Sequence, residues 1–293
     1  MNKLANVAVG GTNPIRILGI LNTSPESFYK KTIVTKKQSQ INLIKKIVEQ
    51  GADFIDVGGM STAPYLSTLV SEKIESQRII EAIKNIQNVC NLPISVDTCR
   101  ATVAKDALEH GAEIINDISG LKYDKNMVKV IRKFQPSLIL CAFSNKLVTG
   151  NHIVKTKYLL KQSMNLAKSA NISSKKIVLD PAIGFFRKTG KGKFFTKINS
   201  DWFERDLLLL QNLNSIKMNQ PLLVSVSNKS FIGKLLDTEK TSDRLIGSVV
   251  AEAVAVLNGA DIIRTHNVKE TKESVTLAKR LAQKKSRKAY NAS

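Results

Sequence analysis

Polar and charged side chains stand in this chain directly behind short apolar runs, where packing gives them no reason to be. Asn22 follows RILGIL, Asp56 lies in FIDVGG, Asp97 in ISVDT, Asn116 in IIND and Asp180 in IVLDP. Ser227, Asn228 and Lys229 close LLVSVSNK, and Arg264 and His266 follow DII. Asp97, Asn116 and Asp180 are acceptors suited to a flat ligand edge rich in N–H donors, such as a guanidine-like heterocycle. Lys229, Arg264 and His266 are cationic or donor groups suited to carbonyl and phosphate oxygens. Gly58 and Gly59, with Ser61 and Thr62 behind them, leave room for backbone N–H groups to approach an anion. Acceptors at one end and cations at the other suit a heterocycle that carries a phosphate-type leaving group. Neither a Ser/His/Asp spacing, a cysteine nucleophile nor an HExxH motif is present, which disfavours covalent hydrolysis and zinc chemistry.

The elements that must position these residues alternate. β-Branched runs at Arg16–Leu21, Phe54–Val57, Pro93–Val96, Glu113–Asn116, Ser137–Cys141, Lys176–Leu179, Leu222–Val226 and Asp261–Arg264 predict eight strands. Helical periodicity fills the gaps at Gln38–Gln50, Ser71–Val89, Ala101–His110, Lys125–Phe134, Thr156–Ala170, Asp201–Leu213, Ser242–Asn258 and Lys269–Leu281. Strict alternation implies parallel strands joined by right-handed crossovers. Eight units in about 250 residues favour an α/β fold of the (β/α)₈ TIM barrel kind, with a doubly wound open sheet as the alternative. GADFID, GAEIIN and GADIIR repeat one device: Gly51, Gly111 and Gly259 suit the left-handed turn that ends a helix. Five residues later come Asp56, Asn116 and Arg264, placed by a barrel at the mouth where active sites form. Only the fifth strand ends in apolar residues, at Cys141-Ala142-Phe143.

LNTSPESF, IDVGGMSTAP, ISVDT, IIND, LDPAIGF, VSNKSFIG and IRTHNV fall in order on successive strand ends. On these residues, from Ile17 to Val268, the chain resembles the dihydropteroate synthase family of pterin-binding barrels. The resemblance implies a transferase that joins a 6-hydroxymethyl-dihydropterin pyrophosphate to an arylamine and releases pyrophosphate. It implies that Asp97, Asn116, Asp180 and Lys229 hold the pterin ring and that Arg264 stacks over it. Arg264 and His266 would contact pyrophosphate, with Ser61 and Thr62 in the nearby loop, and Asn22 would help ligate Mg²⁺. Asp97, Lys229, Arg264 and His266 carry the expected catalytic roles. The arylamine side falls at Ala63, Ser227 and Asn228. A homodimer is the family expectation.

The amine side departs from the family pattern. STRPG is STAPY here, with Ala63 and Tyr65, and SRKSF becomes SNKSF, with Asn228; Glu26, Met60 and Asn267 are smaller changes. The absent arginines are natural partners for the carboxylate of p-aminobenzoate. Arg187, Lys188, Lys191, Lys193 and Lys197 form a basic insert, read either as a flexible surface loop or as a substitute anion site. The latter would suit a decarboxylated arylamine bearing a phosphate, as in methanopterin-type synthesis. A pterin-dependent methyltransferase and a non-catalytic pterin-binding protein are the remaining classes.

Bulk properties set the boundaries. Residues 1–283 read as one barrel domain and 284–293 as a basic tail, frayed and solvated. Net charge is +21, from 45 basic and 24 acidic residues. The cations are spread over almost every helix with few interleaved aromatics, which disfavours nucleic acid as a partner. No apolar run is long enough for a membrane span, and no signal peptide is visible. Cys90, Cys99 and Cys141 lack metal-ligand spacing and read as reduced thiols, consistent with a cytoplasmic location.

Overall fold

The computed structural model describes residues 1–24, 37–64 and 69–282. A hairpin of β1 (Asn2–Leu4) and β2 (Val7–Val9) comes first. Six parallel strands follow in register: β3 (Arg16–Asn22), β4 (Phe54–Gly58), β5 (Ile94–Asp97), β6 (Ile114–Asp117), β7 (Ser137–Cys141) and β8 (Ile177–Asp180). After the short pair β9 (Phe186–Arg187) and β10 (Thr196–Lys197), β11 (Leu223–Val224) and β12 (Ile262–Thr265) complete the eight-stranded sheet. β12 pairs with β3, and β8 meets β11 through a parallel bridge between Leu179 and Leu222. That bridge closes the sheet, so the barrel reading holds and the open sheet does not.

Between the strands lie α1 (Lys37–Glu49), α2 (Glu72–Gln87), α3 (Ala101–Glu109), α4 (Met127–Phe134) and α5 (His152–Ser169). α6 (Trp202–Gln211), α7 (Leu213–Ile216), α8 (Ser230–Leu235), α9 (Leu245–Leu257) and α10 (Val268–Ala282) complete the set. Gly51, Gly111 and Gly259 have φ of 82°, 103° and 112°, so each helix does end in the left-handed turn its glycine allows. α2 is capped by Ser71, whose hydroxyl accepts from the Ile74 N–H, and α5 by Asn151.

Two apolar layers hold the barrel. Ile44, Ile79, Ile83, Val103 and Leu160 pack the helices onto the outer face of the strands. Inside, Leu18, Phe54, Ile114, Ile139 and Ile262 meet Leu4 and Val9 of the hairpin. The hairpin therefore stoppers the end where strands begin, and the Ala5 N–H donates to Ser137 Oγ at 2.9 Å. Burying each such Leu or Ile is worth roughly 1.5–3 kcal/mol. The opposite end, where strands finish, is left open for polar side chains.

Several elements differ from the sequence expectation. The hairpin was not expected, because three-residue strands show no period. α5 starts at His152 rather than Thr156, its first turn fixed by the Asn151 cap. The seventh strand stops at Val224 rather than Val226, and Asn228 takes a left-handed turn (φ 59°) into α8, another unexpected element. The helix expected from Asp201 to Leu213 breaks at Asn212 into α6 and α7. The remainder of the LNTSPESF loop from Pro25, Tyr65 of the second loop and the tail 284–293 lie outside the described residues.

Candidate active site

Strand register builds the site. Asn22 is level with Gly58, Gly58 with Asp97, and Asp97 with Asn116, so neighbouring strands end in one stepped row at the mouth. One row inside, Asp56 faces Ser95. Cys141 is level with Asp180 on the far side.

Arg264 joins these rows. Its Nε donates to Asp56 Oδ2 at 2.6 Å and its Nη2 to Asp97 Oδ2 at 2.9 Å. Asp56 also accepts from Ser95 Oγ at 2.5 Å and from Asn116 Nδ2 at 3.3 Å. Burial opposes the Arg264 charge, but the two carboxylates outweigh it and hold the guanidinium firmly cationic. Desolvation at the strand end pushes Asp97 up to about 7; Arg264 works against this and Asp56 adds to it. Asp180 is also raised by burial, although its Oδ1 accepts from the Ala182 N–H at 2.7 Å.

The cationic side is as crowded. Lys229 lies 3.9 Å from the centroid of the Phe185 ring, and desolvation with the nearby Arg264 charge lowers it to about 8. His266 Nδ1 is 3.1 Å from Ser227 Oγ. Burial, then Arg264 and Lys229, depress it to about 3, so the imidazole is neutral. Gly184, at φ 88°, is needed here: a Cβ would come within 2.8 Å of the Lys229 Cδ.

A cavity of about 120 Å³ occupies the mouth. Its wall includes Asn22, Ser61, Thr62, Ala63, Asp97, Ser227, Asn228, Lys229, Arg264 and His266, all expected from sequence. Asn116 and Asp180 are buried at the ends of β6 and β8 and lie outside that wall. The volume is small for a drug-sized ligand, and Arg264, tied to Asp56 and Asp97, lines it. A hollow of about 520 Å³ opens beside Arg16, Asp53 and Lys272, where strands begin, but no row of strand-end acceptors lines it.

Residues 18–266 match the pterin-binding enzyme family. The dihydropteroate synthase of Clostridium beijerinckii is 35% identical over 89% of this chain and 92% of its own length. That of Bacillus subtilis is 31% identical, over 87% and 84%. The chain belongs to the dihydropteroate synthase family. A dihydropteroate synthase structure from Clostridium difficile, obtained in the presence of pteroic acid, superposes with a TM-score of 0.82 at 34% identity, covering 94% of this chain and 99% of that one. The Xanthomonas albilineans enzyme with 4-aminobenzoic acid gives a TM-score of 0.81 at 26% identity, over 93% and 95%.

Within this family framework the departures become physical. At 63 an alanine lines the cavity wall. Asn228 is buried; its N–H and its side-chain oxygen face the Ser248 hydroxyl, and its amide nitrogen has no partner among the described residues. The basic insert is not a single exposed loop. Arg187 is 8% exposed and reaches the cavity wall, whereas Lys188, Lys191, Lys193 and Lys197 are exposed. The stretch is tied to the second loop, since the N–H groups of Lys191 and Gly192 both donate to the Pro64 carbonyl.

Sequence reading singled out Asp56 without seeing that it anchors Arg264, and gave Ser95, Phe185 and Asp206 no role. Asp56 carried a signal, its place in the repeated GAD device. Nothing in the chain around Arg187 separates it from its lysine neighbours.

Asn22 Oδ1 stands beside Gly58 on the cavity wall. Among the described residues no cluster of three or more His, Cys, Asp or Glu forms a metal cage. The set fits Mg²⁺ only as an ion that arrives with phosphate oxygens, because Mg²⁺ keeps waters and takes few protein ligands beside a substrate phosphate.

Proposed function

We infer that this chain joins the methyl carbon of a dihydropterin pyrophosphate to an arylamine nitrogen, releasing pyrophosphate in folate-type biosynthesis. One observation carries the reading: the strand-end cavity sets the Asp97 carboxylate against Arg264, Lys229 and His266.

Asp97, Asn116 and Asp180 accept or share the N–H groups of the pterin edge, and Lys229 donates to its carbonyl. The pterin N–H groups take over Asp97 in part from Arg264, whose flat guanidinium is then free to lie against the ring. Asp56 keeps hold of that arginine, so its plane stays fixed. As the pterin CH₂–O bond lengthens, positive charge grows on the pterin-methyl unit and the Asp97 and Asp180 carboxylates stabilise it. Arg264 and neutral His266, through an N–H, meet the charge collecting on the leaving oxygen. Ser61 and Thr62 add hydroxyl donors at the rim. The amine nitrogen forms the new C–N bond and loses a proton as pyrophosphate leaves. Asn22 is the residue that would hold Mg²⁺, and that ion, when bound, neutralises pyrophosphate charge.

p-Aminobenzoate is the first amine to test. A phosphorylated arylamine is the second, because the backbone of Lys191 and Gly192 is bonded to Pro64 of the cavity wall and Lys188, Lys191 and Lys193 are exposed in the same stretch. The experiment is steady-state release of pyrophosphate with each amine, and with Lys191 and Lys193 changed to alanine. Turnover of p-aminobenzoate indifferent to the lysines supports the folate reaction. Preference for the phosphorylated amine, lost with the lysines, supports the other.

The reading includes a homodimer. α9 exposes Ile246 (78%), Val250 and Leu257 along one face, and α10 exposes Leu277 and Leu281, an apolar surface suited to a second copy. No described helix is long and apolar enough to cross a membrane. Three unpaired cysteines, two of them buried, suit the reducing cytoplasm in which we place the reaction.

A further inference from the structure

Two positions from which the arylamine side expects a cation, 63 and 228, hold Ala and Asn. The structure delivers a guanidinium to the same rim from another loop. Arg187 lies at the end of the LDPAIGF segment, in β9, and its side chain reaches the cavity wall. Its Nη2 is 2.7 Å from Ser230 Oγ, two residues beyond Asn228.

Arg187 is built in from several sides. Its guanidinium carbon sits 4.0 Å from the centroid of the Trp202 ring, so α6 holds it against an aromatic surface. Nη1 donates to the Phe186 carbonyl at 2.7 Å and approaches Asp206 Oδ2 at 3.4 Å. Asp206 is itself fixed, bonded by Arg205 Nη1 at 3.0 Å and by the Gly184 N–H at 3.0 Å. The same clamp thus sets both Arg187 and the Gly184 turn against which Lys229 rests. A guanidinium fixed in plane and position loses little entropy when it meets a carboxylate, and its fork matches the two oxygens. Of the cavity cations, Arg264 is bound to Asp56 and Asp97 and Lys229 lies over Phe185 near Asp180, whereas Arg187, itself paired with Asp206, lies beside Ser230.

We propose that Arg187 is the specificity-determining residue that binds the carboxylate of the arylamine, in place of cations at 63 and 228. The assignment rests on the transferase reading above and narrows it to carboxylate-bearing amines.

The test compares p-aminobenzoate with its neutral isostere p-aminobenzamide, at saturating dihydropterin pyrophosphate. Wild-type protein should show a KM at least about tenfold lower for the acid, the loss typical of one charge-assisted contact. Arg187→Gln should raise the KM of the acid by that factor, leave the amide within about twofold, and leave pterin affinity by calorimetry unchanged. Arg187→Lys, which keeps charge but loses the fork, should fall between. Equal KM values for acid and amide in the wild type, or an equal change in both amines with Arg187→Gln, overturns the assignment while the transferase reading stands. If neither amine turns over but the phosphorylated arylamine does, the assignment falls and the transferase reading stands; no turnover of any of the three removes both. If Arg187→Gln does not fold, the wild-type ratio and Arg187→Lys decide between the same outcomes.

Discussion

His266 shows how far a residue's setting can move it from habit. Burial and two neighbouring cations hold it at about 3, so in the reaction proposed above it is a neutral N–H donor to pyrophosphate. Between its ordinary 6.5 and about 3 the unfolded chain binds a proton that the folded chain refuses, so acidification through that window lowers stability; above 6.5 the effect vanishes. Urea denaturation across pH 7 to 4 should therefore fall less steeply in His266→Gln than in the wild type, and parallel curves would contradict the assignment. His266→Ala should also weaken pyrophosphate binding by roughly tenfold, as loss of a charge-assisted bond does. Isothermal titration with pyrophosphate and Mg²⁺ checks it. Arg264 was legible as a strand-end cation, but its pairing with Asp56 was not. The two lie 208 residues apart, and no local spacing encodes which carboxylate a barrel brings to which arginine.

At the scale of elements, the loops after the strands are held by buried networks. Glu75 of α2 accepts from Thr98 Oγ1 and from Arg100 Nη1, both at 2.8 Å, and Arg100 also donates to the Val70 carbonyl, where the second loop ends. Removing one partner leaves the other charge buried and alone, so Glu75→Ala should cost about 3–5 kcal/mol by chemical denaturation. A cost below about 1 kcal/mol would show the pair to be solvated. Gly184→Ala tests the loop under Lys229 differently. Its added Cβ meets Lys229 and its φ of 88° is strained, so pterin affinity should drop several-fold beyond any loss of stability. Eight strands were legible because barrel strands buried on both faces read as β-branched runs, and the turns at Gly51, Gly111 and Gly259 marked where three strands begin. The hairpin, β9 and β10 were not, since two or three residues carry no period. Arg187 was hidden for a related reason: a buried arginine and an exposed lysine look alike in a basic run until Trp202 is folded against one of them.

At the scale of the molecule, the barrel separates its tasks by end. The hairpin closes the end where strands begin with apolar side chains, and the mouth gathers the charges. α9 and α10 leave an apolar strip on the outer wall, away from both. If that strip joins two copies as proposed, the wild type sediments as a dimer and Ile246→Asp with Val250→Asp as a monomer, with the far-UV spectrum unchanged. A monomeric wild type would remove that part of the reading.

The central claim is that the strand-end carboxylates form a pterin pocket. Calorimetric titration of a dihydropterin into wild type, Asp97→Asn and Asp180→Asn at pH 8 addresses it directly. At pH 8 Asp97, with its value of about 7, is mostly ionised in the free protein. The account predicts clear binding to the wild type and at least a tenfold loss in each variant, with unchanged thermal unfolding cooperativity. Unaltered pterin affinity in both folded variants would contradict it.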